Sequence, residues 1–447
     1  MRKDNMELAR HLQGLVRFPT VSCVNTADLD LTAFRGMHEY IENTYPLLTK
    51  TLKREIVGPC GLLYHWKGTG KSDTLPLVLM AHQDVVPEGD HAQWKYPPFE
   101  GAIEEGCVWG RGSVDSKANM LACLESVESL LEDGFTPGCD VYLAFGYNEE
   151  VAGSSEPAAG LIAKVLEDRG IQVGMVMDEC GYLEKKAGGY VANLLFYEKG
   201  YADIEISVPS RGGHSCKPPV HSGLGELAKA ICILEDNPMP QKLIPAVAQQ
   251  LRAMAPDCED EEEKKVFSDP EGHVDELFRI CEKDPVLNAM TRTTTAVTMC
   301  KGSDQANILP ERAWAVANNR ILPGETVDDL MQHYRDVLPE YVQIKLLKGS
   351  NPPAIQSLET KGCGVILKVL EEMYPGVRLI PNLLLGGTDS RYFCGICPTD
   401  SVYRMTGLVY DSRWAGNTHK VNERVAVDVL GPNVDFYIRV IEEYTRK

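Results

Sequence analysis

Three short apolar runs, at residues 77–81, 141–145 and 175–177, each end within a few positions in acidic side chains or histidine. Continuous apolar runs of this length are typical of strands that are buried on both faces. Between them, residues 120–131 and 161–166 carry apolar side chains at helical spacing. Strands that alternate with helices predict an α/β sheet, in which ligands bind beyond the carboxyl ends of the strands. We therefore expect the polar residues at these strand ends to form the functional site.

The pattern changes near residue 200, where apolar and polar side chains begin to alternate one by one. This period is typical of a strand with one solvated face, and it returns several times between residues 293 and 347. A chain of 447 residues is also too long for one ordinary core. We predict a smaller α+β domain over residues 200–350, inserted into a first domain that comprises residues 1–199 and 351–447.

The acidic composition limits the partners that the chain can bind. The formal net charge is -19 at pH 7, whereas binding to nucleic acid or anionic lipid usually requires clustered lysine and arginine. We expect neither nucleic acid nor a membrane as a partner. The polar start of the chain leads into no apolar signal region, and no apolar run is long enough to span a bilayer. These features predict a cytoplasmic protein, and its fourteen scattered cysteines are expected to be reduced.

Two pairs of polar residues directly follow the first two apolar runs. His82 and Asp84 place an imidazole and a carboxylate two residues apart, an arrangement in which the acid can orient a metal-binding histidine. Glu149 and Glu150 are adjacent, so one carboxylate can bind a metal while the other takes a proton from water. Isolated residues of these types are usually solvated surface groups. Their position at the ends of buried strands favours a hydrolytic metal site.

Three further residues complete the ligand types that such a site needs. Asp115 lies in a glycine-containing loop just before a predicted helix, where it either bridges two metals or, like Ser116, caps that helix. Asp178 follows the third apolar run, where an acid can also simply begin a turn. His419 offers a second imidazole, although alone it would be an ordinary loop histidine. The residues by themselves leave these alternatives open.

In their order along the chain, these residues resemble the motifs of the M20 family of metallopeptidases, most closely its carboxypeptidase S branch, which also contains N-acyl-amino-acid hydrolases. The similarity covers nearly the entire chain. Cys180 stands where many relatives have glycine. The matching motifs are His82-x-Asp84, Gly110-Arg111-Gly112 with Asp115 and Lys117, Glu149-Glu150, Asp178-Glu179, Gly213-His214-Ser215, Asn307-Ile308-Leu309-Pro310, Arg320, Gly386-Gly387-Thr388-Asp389-Ser390-Arg391 and His419.

The resemblance implies an aminopeptidase-like α/β/α catalytic domain, with the inserted domain acting as a lid or in dimerisation. It also implies two divalent metal ions, zinc by default with cobalt or manganese as alternatives. Glu149 would be the general base, and Asp84 would orient His82. One ion would be bound by His82, Asp115 and Asp178, and the other by Asp115, Glu150 and His419.

The resemblance further implies a set of substrate-binding residues. His214 would stabilise the tetrahedral oxyanion, either after the inserted domain closes or from a partner subunit, although it also fits a polar turn. Arg320 and Asn307 resemble a clamp for the substrate carboxylate, a task that suits guanidinium geometry. An arginine on a strand is, however, often only an exposed residue. Gly387 and Thr388 would add backbone and hydroxyl donors.

The function expected from these residues is hydrolysis of a peptide bond in small substrates that carry a free carboxylate, as in a dipeptidase or carboxypeptidase. An N-acyl-amino-acid deacylase is the alternative within the same mechanism, and the sequence does not show the acyl-side pocket that would separate the two. A non-catalytic binding protein on the same scaffold is the alternative from another class. Because all the candidate ligands and Glu149 are present, the enzyme is favoured. The sequence leaves open whether the protein is a monomer or a homodimer that pairs through the inserted domain.

Overall fold

The computed structural model describes residues 3–151 and 156–446. Its α-helices are, in chain order, α1 (Asn5–Val16), α2 (Leu31–Thr44), α3 (Pro46–Thr51), α4 (Lys117–Glu132), α5 (Ala158–Asp168), α6 (Gly223–Asp236), α7 (Pro245–Met254), α8 (Glu261–Ser268), α9 (Val274–Cys281), α10 (Pro285–Thr291), α11 (Val327–Val337), α12 (Lys361–Met373) and α13 (Leu430–Thr445).

The strands are β1 (Lys53–Val57), β2 (Gly61–Trp66), β3 (Leu77–His82), β4 (Ala102–Glu104), β5 (Cys107–Trp109), β6 (Val141–Gly146), β7 (Met175–Asp178), β8 (Tyr182–Lys186), β9 (Gly189–Glu198), β10 (Gly200–Pro209), β11 (Gly213–His214), β12 (Thr294–Lys301), β13 (Ile308–Leu309), β14 (Arg312–Ile321), β15 (Gln343–Ser350), β16 (Arg378–Leu384), β17 (Val402–Arg404), β18 (Val409–Tyr410) and β19 (Arg424–Ala426).

These elements group into two compact units. The first contains Met1–Phe196, Gln356–Ile380 and Thr388–Lys447, and the second contains Tyr197–Ile355 and Pro381–Gly387. The main segment of the second unit begins and ends within a few residues of the domain predicted over 200–350. The return of the chain at Pro381–Gly387 has no counterpart in the prediction, because so short a segment carries no readable period.

A ten-stranded sheet organises the first unit, in the order β1-β2-β6-β3-β7-β17-β9-β8-β18, with β16 also paired to β9. Its centre is parallel: β3 pairs with β6 and β7, and β7 pairs with β17. Every residue of β3, β6 and β7 is buried. Both faces of these strands are covered, which explains why their sequences are apolar without alternation.

Helices cover the two faces of the parallel strands. Val78 and Met80 of β3 share a core cluster with Ile162 and Leu166 of α5. The alternate side chains of β3 point to the opposite face, where α4 and α13 pack. Almost the whole length of α4 is buried between these neighbours, so it has no solvated face. This α/β/α layering places the ends of β3, β6 and β7 at one edge, as the sequence predicted.

The second unit is built on an antiparallel sheet in the order β12-β14-β10-β15. Ile204 and Ile206 of β10 pack in one core cluster with Leu227 of α6 and with Leu330 and Tyr334 of α11. The sheet therefore buries one face under helices, which accounts for the alternation in the sequence. The predicted two-domain α/β fold is confirmed. No helix within the described residues has the length and apolar character needed to cross a membrane, and all fourteen cysteines, which lie in the described ranges, are free thiols.

Candidate metal centre

The carboxyl ends of β3, β6 and β7 bring together the first group of predicted residues. His82 is the last residue of β3, and Glu149 and Glu150 follow β6. Because neighbouring parallel strands end at the same edge of the sheet, the residues that follow them meet there. The side chain of His82 is buried, with only 1% of its surface exposed, so its partners define its chemistry.

His82 faces two carboxylates through one nitrogen. Its Nε2 lies 2.9 Å from Oδ1 of Asp115 and 3.2 Å from Oε1 of Glu179. Its Nδ1 lies 2.9 Å from the backbone carbonyl oxygen of Asp84, an acceptor, so Nδ1 carries the proton in that hydrogen bond. Nε2 is then the nitrogen available to bind a metal ion.

Asp115 connects this histidine to the second one. Its Oδ2 lies 3.2 Å from Nε2 of His419, while its Oδ1 faces His82. Nε2 of His419 also lies 2.9 Å from Oε2 of Glu150. The two oxygens of one carboxylate therefore point at two different imidazoles, which is the arrangement of a ligand that bridges two cations.

Two groups of side chains place their ligand atoms within 4.8 Å of one another: His82 with Asp115 and Glu150, and His82 with Glu149 and Glu179. Imidazole nitrogens and carboxylate oxygens suit zinc, cobalt and manganese. The donor set and its spacing fit divalent metal ions, and the position of Asp115 between the two histidines fits a pair of them.

Asp178 was predicted as a ligand, and the structure places one of its carboxylate oxygens on a backbone donor. Its Oδ2 accepts a hydrogen bond from the backbone N–H of Ser390 at 3.0 Å. The adjacent Glu179 faces His82 instead. Asp178 is the last residue of β7 and Glu179 directly follows it, so both acids lie at the same strand end. Glu179 is a further candidate ligand, for which the adjacency of the two acids was the signal in the sequence, and the role of Asp178 as a ligand stays a prediction.

Asp84 does more than the orienting role expected of it. Its backbone oxygen holds Nδ1 of His82, whereas its carboxylate oxygen Oδ1 is 3.5 Å from that nitrogen. The carboxylate accepts hydrogen bonds from the backbone N–H groups of Glu149 at 3.2 Å and Glu150 at 3.1 Å. Asp84 is fully buried and therefore fixes the turn that carries both glutamates.

The cluster contains more carboxylates than positively charged groups, and this excess shifts the pKa values of its members. Burial raises the pKa of Glu149 well above its ordinary value; His82 opposes this and the negative charge of Glu179 adds to it. Burial also raises the pKa of Glu179 to about 7. Hydrogen bonds to Asp115 and Glu150 raise the pKa of His419 to about 10. Protons thus accumulate where carboxylates crowd together, and divalent cations would meet the same demand.

Glu423, which the sequence analysis did not single out, holds the loop that carries Asp115. This side chain is 1% exposed. Its Oε2 accepts hydrogen bonds from Nη1 of Arg111 at 2.6 Å and from the backbone N of Gly112 at 3.1 Å. Its Oε1 accepts from the backbone N of Val114 at 2.9 Å and of Asp115 at 3.2 Å. No motif in the sequence indicates this contact, because it joins residues more than 300 positions apart.

Most of the predicted substrate-binding residues lie in the second unit. His214 is exposed on β11, and its Nδ1 accepts a hydrogen bond from the backbone N of Cys216 at 3.1 Å. Asn307 lies beside it, because its backbone oxygen accepts from Ser215 N at 3.1 Å. Arg320 lies on β14 with its guanidinium 5.1 Å from the ring centre of Tyr201. Gly387 closes the segment Pro381–Gly387 of the same unit.

Thr388 belongs to the first unit, and its hydroxyl is already engaged. Its Oγ1 accepts a hydrogen bond from Nε of Arg404 at 3.1 Å and lies 2.8 Å from Oγ of Ser390. The side chain is buried. The substrate-binding roles of Thr388 and of the four residues in the second unit stay predictions.

Comparison with known proteins identifies relatives over almost the full chain. This chain is 31% identical over 453 residues to a probable carboxypeptidase S-like protein 2 of Dictyostelium discoideum, and the match covers 98% of this chain and 85% of that protein. It is 30% identical over 448 residues to the N-fatty-acyl-amino acid synthase/hydrolase PM20D1 of Xenopus tropicalis, covering 98% and 86%.

Among solved structures, an M20 family metallo-carboxypeptidase of Sulfolobus solfataricus superposes with a TM-score of 0.74 at 17% identity, covering 98% of this chain and 99% of that one. At this identity the likeness establishes the fold. The model of peptidase family M20/M25/M40 matches residues 78–443. That span includes each ligand of the candidate centre, and the chain accordingly belongs to peptidase family M20/M25/M40.

Proposed function

We propose that this protein hydrolyses the amide bond of small substrates that carry a free carboxylate, as a dipeptidase or carboxypeptidase with two divalent metal ions. The observation that carries the proposal is the position of Asp115, whose two carboxylate oxygens face His82 and His419 separately. A carboxylate shared in this way is the central ligand of dinuclear hydrolases. Zinc is the first candidate for both ions, with cobalt and manganese as alternatives.

The ligands divide into two sets that share Asp115. His82, Asp115 and Glu179 would hold one ion, and Asp115, Glu150 and His419 would hold the other. When bound, such ions lower the pKa of water and polarise the carbonyl of the scissile bond. The carboxylates that crowd this site, and the protons they retain without cations, support a pair of positive charges here.

Glu149 is the proposed general base. It lies beside the ligand Glu150, and its backbone N–H is held by the buried carboxylate of Asp84. Its raised pKa suits a group that accepts a proton from water and passes it to the leaving nitrogen. In this scheme no covalent bond forms between enzyme and substrate, because water is the nucleophile.

The carboxylate specificity rests on the second unit. We assign Arg320 and Asn307 to the substrate carboxylate and His214 to the oxyanion. A guanidinium can bind a carboxylate with two parallel hydrogen bonds. Gly387 would add a backbone N–H. Thr388 would add its hydroxyl, whose oxygen also accepts a hydrogen bond from Nε of Arg404.

A second candidate, the N-acyl-amino-acid deacylase, is favoured by aromatic side chains close in sequence to two ligands. Tyr182, three residues after Glu179, stacks on Tyr410 with ring centres 4.3 Å apart. Tyr410 in turn contacts Trp414, five residues before His419, at 4.2 Å. Trp414 is buried, so the half-buried Tyr182 and Tyr410 supply the aromatic surface that suits an apolar acyl chain. The Xenopus tropicalis relative bears a name that includes hydrolysis of N-fatty-acyl amino acids.

The first experiment replaces the metal and varies the substrate. The purified protein is stripped with chelator and restored with zinc, cobalt or manganese. Each form is then assayed on matched dipeptides and N-acyl amino acids with free or amidated carboxyl termini. Restored cleavage that requires the free carboxylate is expected, and the preferred acyl group separates peptidase from deacylase. Activity that persists without metal would overturn the mechanism, and binding without cleavage would favour the non-catalytic alternative.

Glu149→Gln tests the base directly. We expect kcat to fall by about 10³-fold because the amide cannot accept a proton, while metal stoichiometry stays at the wild-type value. Glu167→Gln, on the exposed face of α5, is the control for loss of a surface carboxylate and should leave kcat unchanged. Wild-type turnover by the Glu149 variant would exclude this residue as the base.

Two further proposals concern the setting of the enzyme. A cytoplasmic location stays a proposal, and the net charge of -19 supports a protein that binds neither nucleic acid nor membranes. The sheet of the second unit has β12 and β15 at its two edges, and exposed strand edges are surfaces on which two copies of a chain can pair. Light scattering on the purified protein tests the homodimer: a monomeric mass at micromolar concentration would exclude stable pairing.

A further inference from the structure

The segment that carries His419 and the loop that carries Asp115 are joined by one buried carboxylate. Glu423 follows His419 by four residues, and all four donors that its side chain contacts belong to the loop from Arg111 to Asp115. The backbone adds a further link, since Gly110 N donates to the carbonyl oxygen of Glu423 at 2.9 Å. The residue after Glu423 begins β19, which pairs with β5 directly before the loop.

Two of the hydrogen bonds of Glu423 come from the backbone that directly carries the side chain of Asp115. Oε1 accepts from the N–H of Asp115 itself and from that of Val114. A backbone held at a residue and at the residue before it limits where the side chain of that residue can point. Since Oδ1 and Oδ2 of Asp115 must face His82 and His419 at the same time, a small rotation of this loop would break the bridge.

A parallel contact occurs on the other side of the centre. The buried carboxylate of Asp84 accepts from the backbone N–H groups of Glu149 and Glu150. Each of these two ligand-bearing turns is therefore held by a carboxylate that is not itself a ligand. Hydrogen bonds from several N–H groups to a charged oxygen are among the strongest that proteins make.

We propose that Glu423 is a positioning residue that holds Asp115 in register with His419, so that the bridging site exists before metal binds. This inference rests on the proposed function, because it takes Asp115 and His419 to be ligands. Glu423 acts through Asp115 and touches no substrate. Without Glu423, metal binding itself would have to order the loop, and the free energy this costs would lower the metal affinity. Substitution of residues that orient ligands typically weakens metal binding by about 10–100-fold.

The chain offers a matched control for this carboxylate. Glu128 on α4 is 2% exposed, and its carboxylate accepts from the backbone N–H groups of Leu47 at 3.0 Å and Leu48 at 2.7 Å. It holds the start of α3 in the same chemical way that Glu423 holds the loop, and none of its hydrogen bonds reaches a proposed ligand. Glu128→Gln and Glu423→Gln therefore remove similar hydrogen bonds with different expected consequences for the metal.

The experiment compares the wild type, Glu423→Gln and Glu128→Gln after chelator treatment. Thermal unfolding is measured without metal, and cobalt(II) is then titrated by calorimetry and by its visible absorption spectrum. We expect both variants to unfold at lower temperature than the wild type. Only Glu423→Gln should bind cobalt about 10–100-fold more weakly, with an altered spectrum. Equal cobalt affinity in Glu423→Gln and the wild type, or equal weakening in both variants, would overturn the inference.

Arg111→Lys covers the case in which Glu423→Gln does not fold. Its guanidinium contacts only one oxygen of Glu423 at 2.6 Å, so a lysine preserves the charge and loosens the geometry. A cobalt affinity reduced by several-fold, with faster amide hydrogen exchange at residues 112–115 in the metal-free protein, supports the inference. Unchanged affinity and exchange would overturn it. If the wild type itself binds no cobalt, the proposed function fails, and that result is distinct from a loss confined to the variants.

Discussion

The choice between Asp178 and Glu179 shows what a sequence can say about a single residue. The sequence predicted Asp178 as the ligand at this strand end, and in the structure the adjacent Glu179 faces His82. Which of the two does so depends on the backbone after β7, where Cys180 has a φ of 74°. It depends also on Ser390, far along the chain, whose backbone N–H donates a hydrogen bond to the Asp178 carboxylate. The contact with Ser390 joins residues 212 positions apart, so the local pattern could not decide between the two acids.

The ligand assignment predicts opposite results for the two neighbours. Glu179→Gln should weaken metal binding by about 10-fold or more, since an amide oxygen is a poorer ligand than a carboxylate. Asp178→Asn should bind metal as the wild type does, because its amide oxygen still accepts from Ser390 N. Calorimetric titration of both metal-free variants with zinc measures this. Weak binding by Asp178→Asn with normal binding by Glu179→Gln would return Asp178 to the ligand set.

At the scale of elements, prediction succeeded where the chain is long and periodic. The apolar runs became β3, β6 and β7, and the apolar stripe at residues 120–131 became α4. Short elements escaped: β17 has three residues and no period that could reveal it, yet it completes the parallel core. Its place is set by pairing with β7 and β9, which is a tertiary fact.

A hydrogen-bond chain ties three of these elements together and can be tested. Tyr437 on α13 donates to Oδ1 of Asn119 on α4 at 2.6 Å, and Asn119 donates to the carbonyl oxygen of Met80 on β3 at 2.8 Å. Tyr437→Phe leaves the buried Oδ1 without this donor and should lower the free energy of unfolding by about 1–3 kcal/mol. Urea denaturation measures the change.

The matched control for Tyr437→Phe is Tyr341→Phe. The side chain of Tyr341 is 46% exposed, and its hydroxyl donates to Glu226 at 2.7 Å. We expect the control to change the free energy of unfolding by less than about 0.5 kcal/mol. Equal effects of the two substitutions would show that the contact with Asn119 contributes nothing beyond loss of a hydroxyl.

For the whole molecule, the predicted fold and the predicted enzyme class were confirmed. The two-domain α/β fold and the metal-dependent peptidase or amidohydrolase class are supported by family membership and by the solved relatives. The substrate and the metal identity depend on side-chain geometry that no periodicity encodes. The excess of negative charge is a global property, with a net charge of -19, but its consequence is local, because several carboxylates meet at one buried site.

That local excess predicts how metal removal depends on pH. Without metal, His419 has its pKa raised from 6.5 to about 10 by Asp115 and Glu150. A raised pKa stabilises the folded state below the unfolded value, and this stabilisation is lost as pH rises through the folded value. The contribution of His419 to the stability of the metal-free protein should therefore be lost between about pH 6.5 and 10. Bound metal replaces the proton, so the Tm difference between the metal-bound and metal-free protein should widen as pH rises across this range.

The comparison of two forms provides the control for this pH effect. Burial lowers the pKa of Lys199 to about 7, so Lys199 makes stability rise with pH. This effect is the same in the metal-bound and the metal-free protein, and it therefore cancels in their Tm difference. Differential scanning fluorimetry at pH 6.5, 7.5 and 8.5, with and without saturating zinc, measures the gap. A Tm difference that narrows as pH rises would mean that His419 holds no proton that metal displaces.

The position of β17 also bears on how this protein is made. It lies between β7 and β9, although the ribosome releases both of those strands well before residues 402–404. At ordinary translation rates the delay is on the order of ten seconds or more. Throughout that interval the nascent chain presents unpaired strand edges, which invite association with other chains. Chaperone occupancy during synthesis should therefore end only when this late, three-residue strand emerges and closes the sheet.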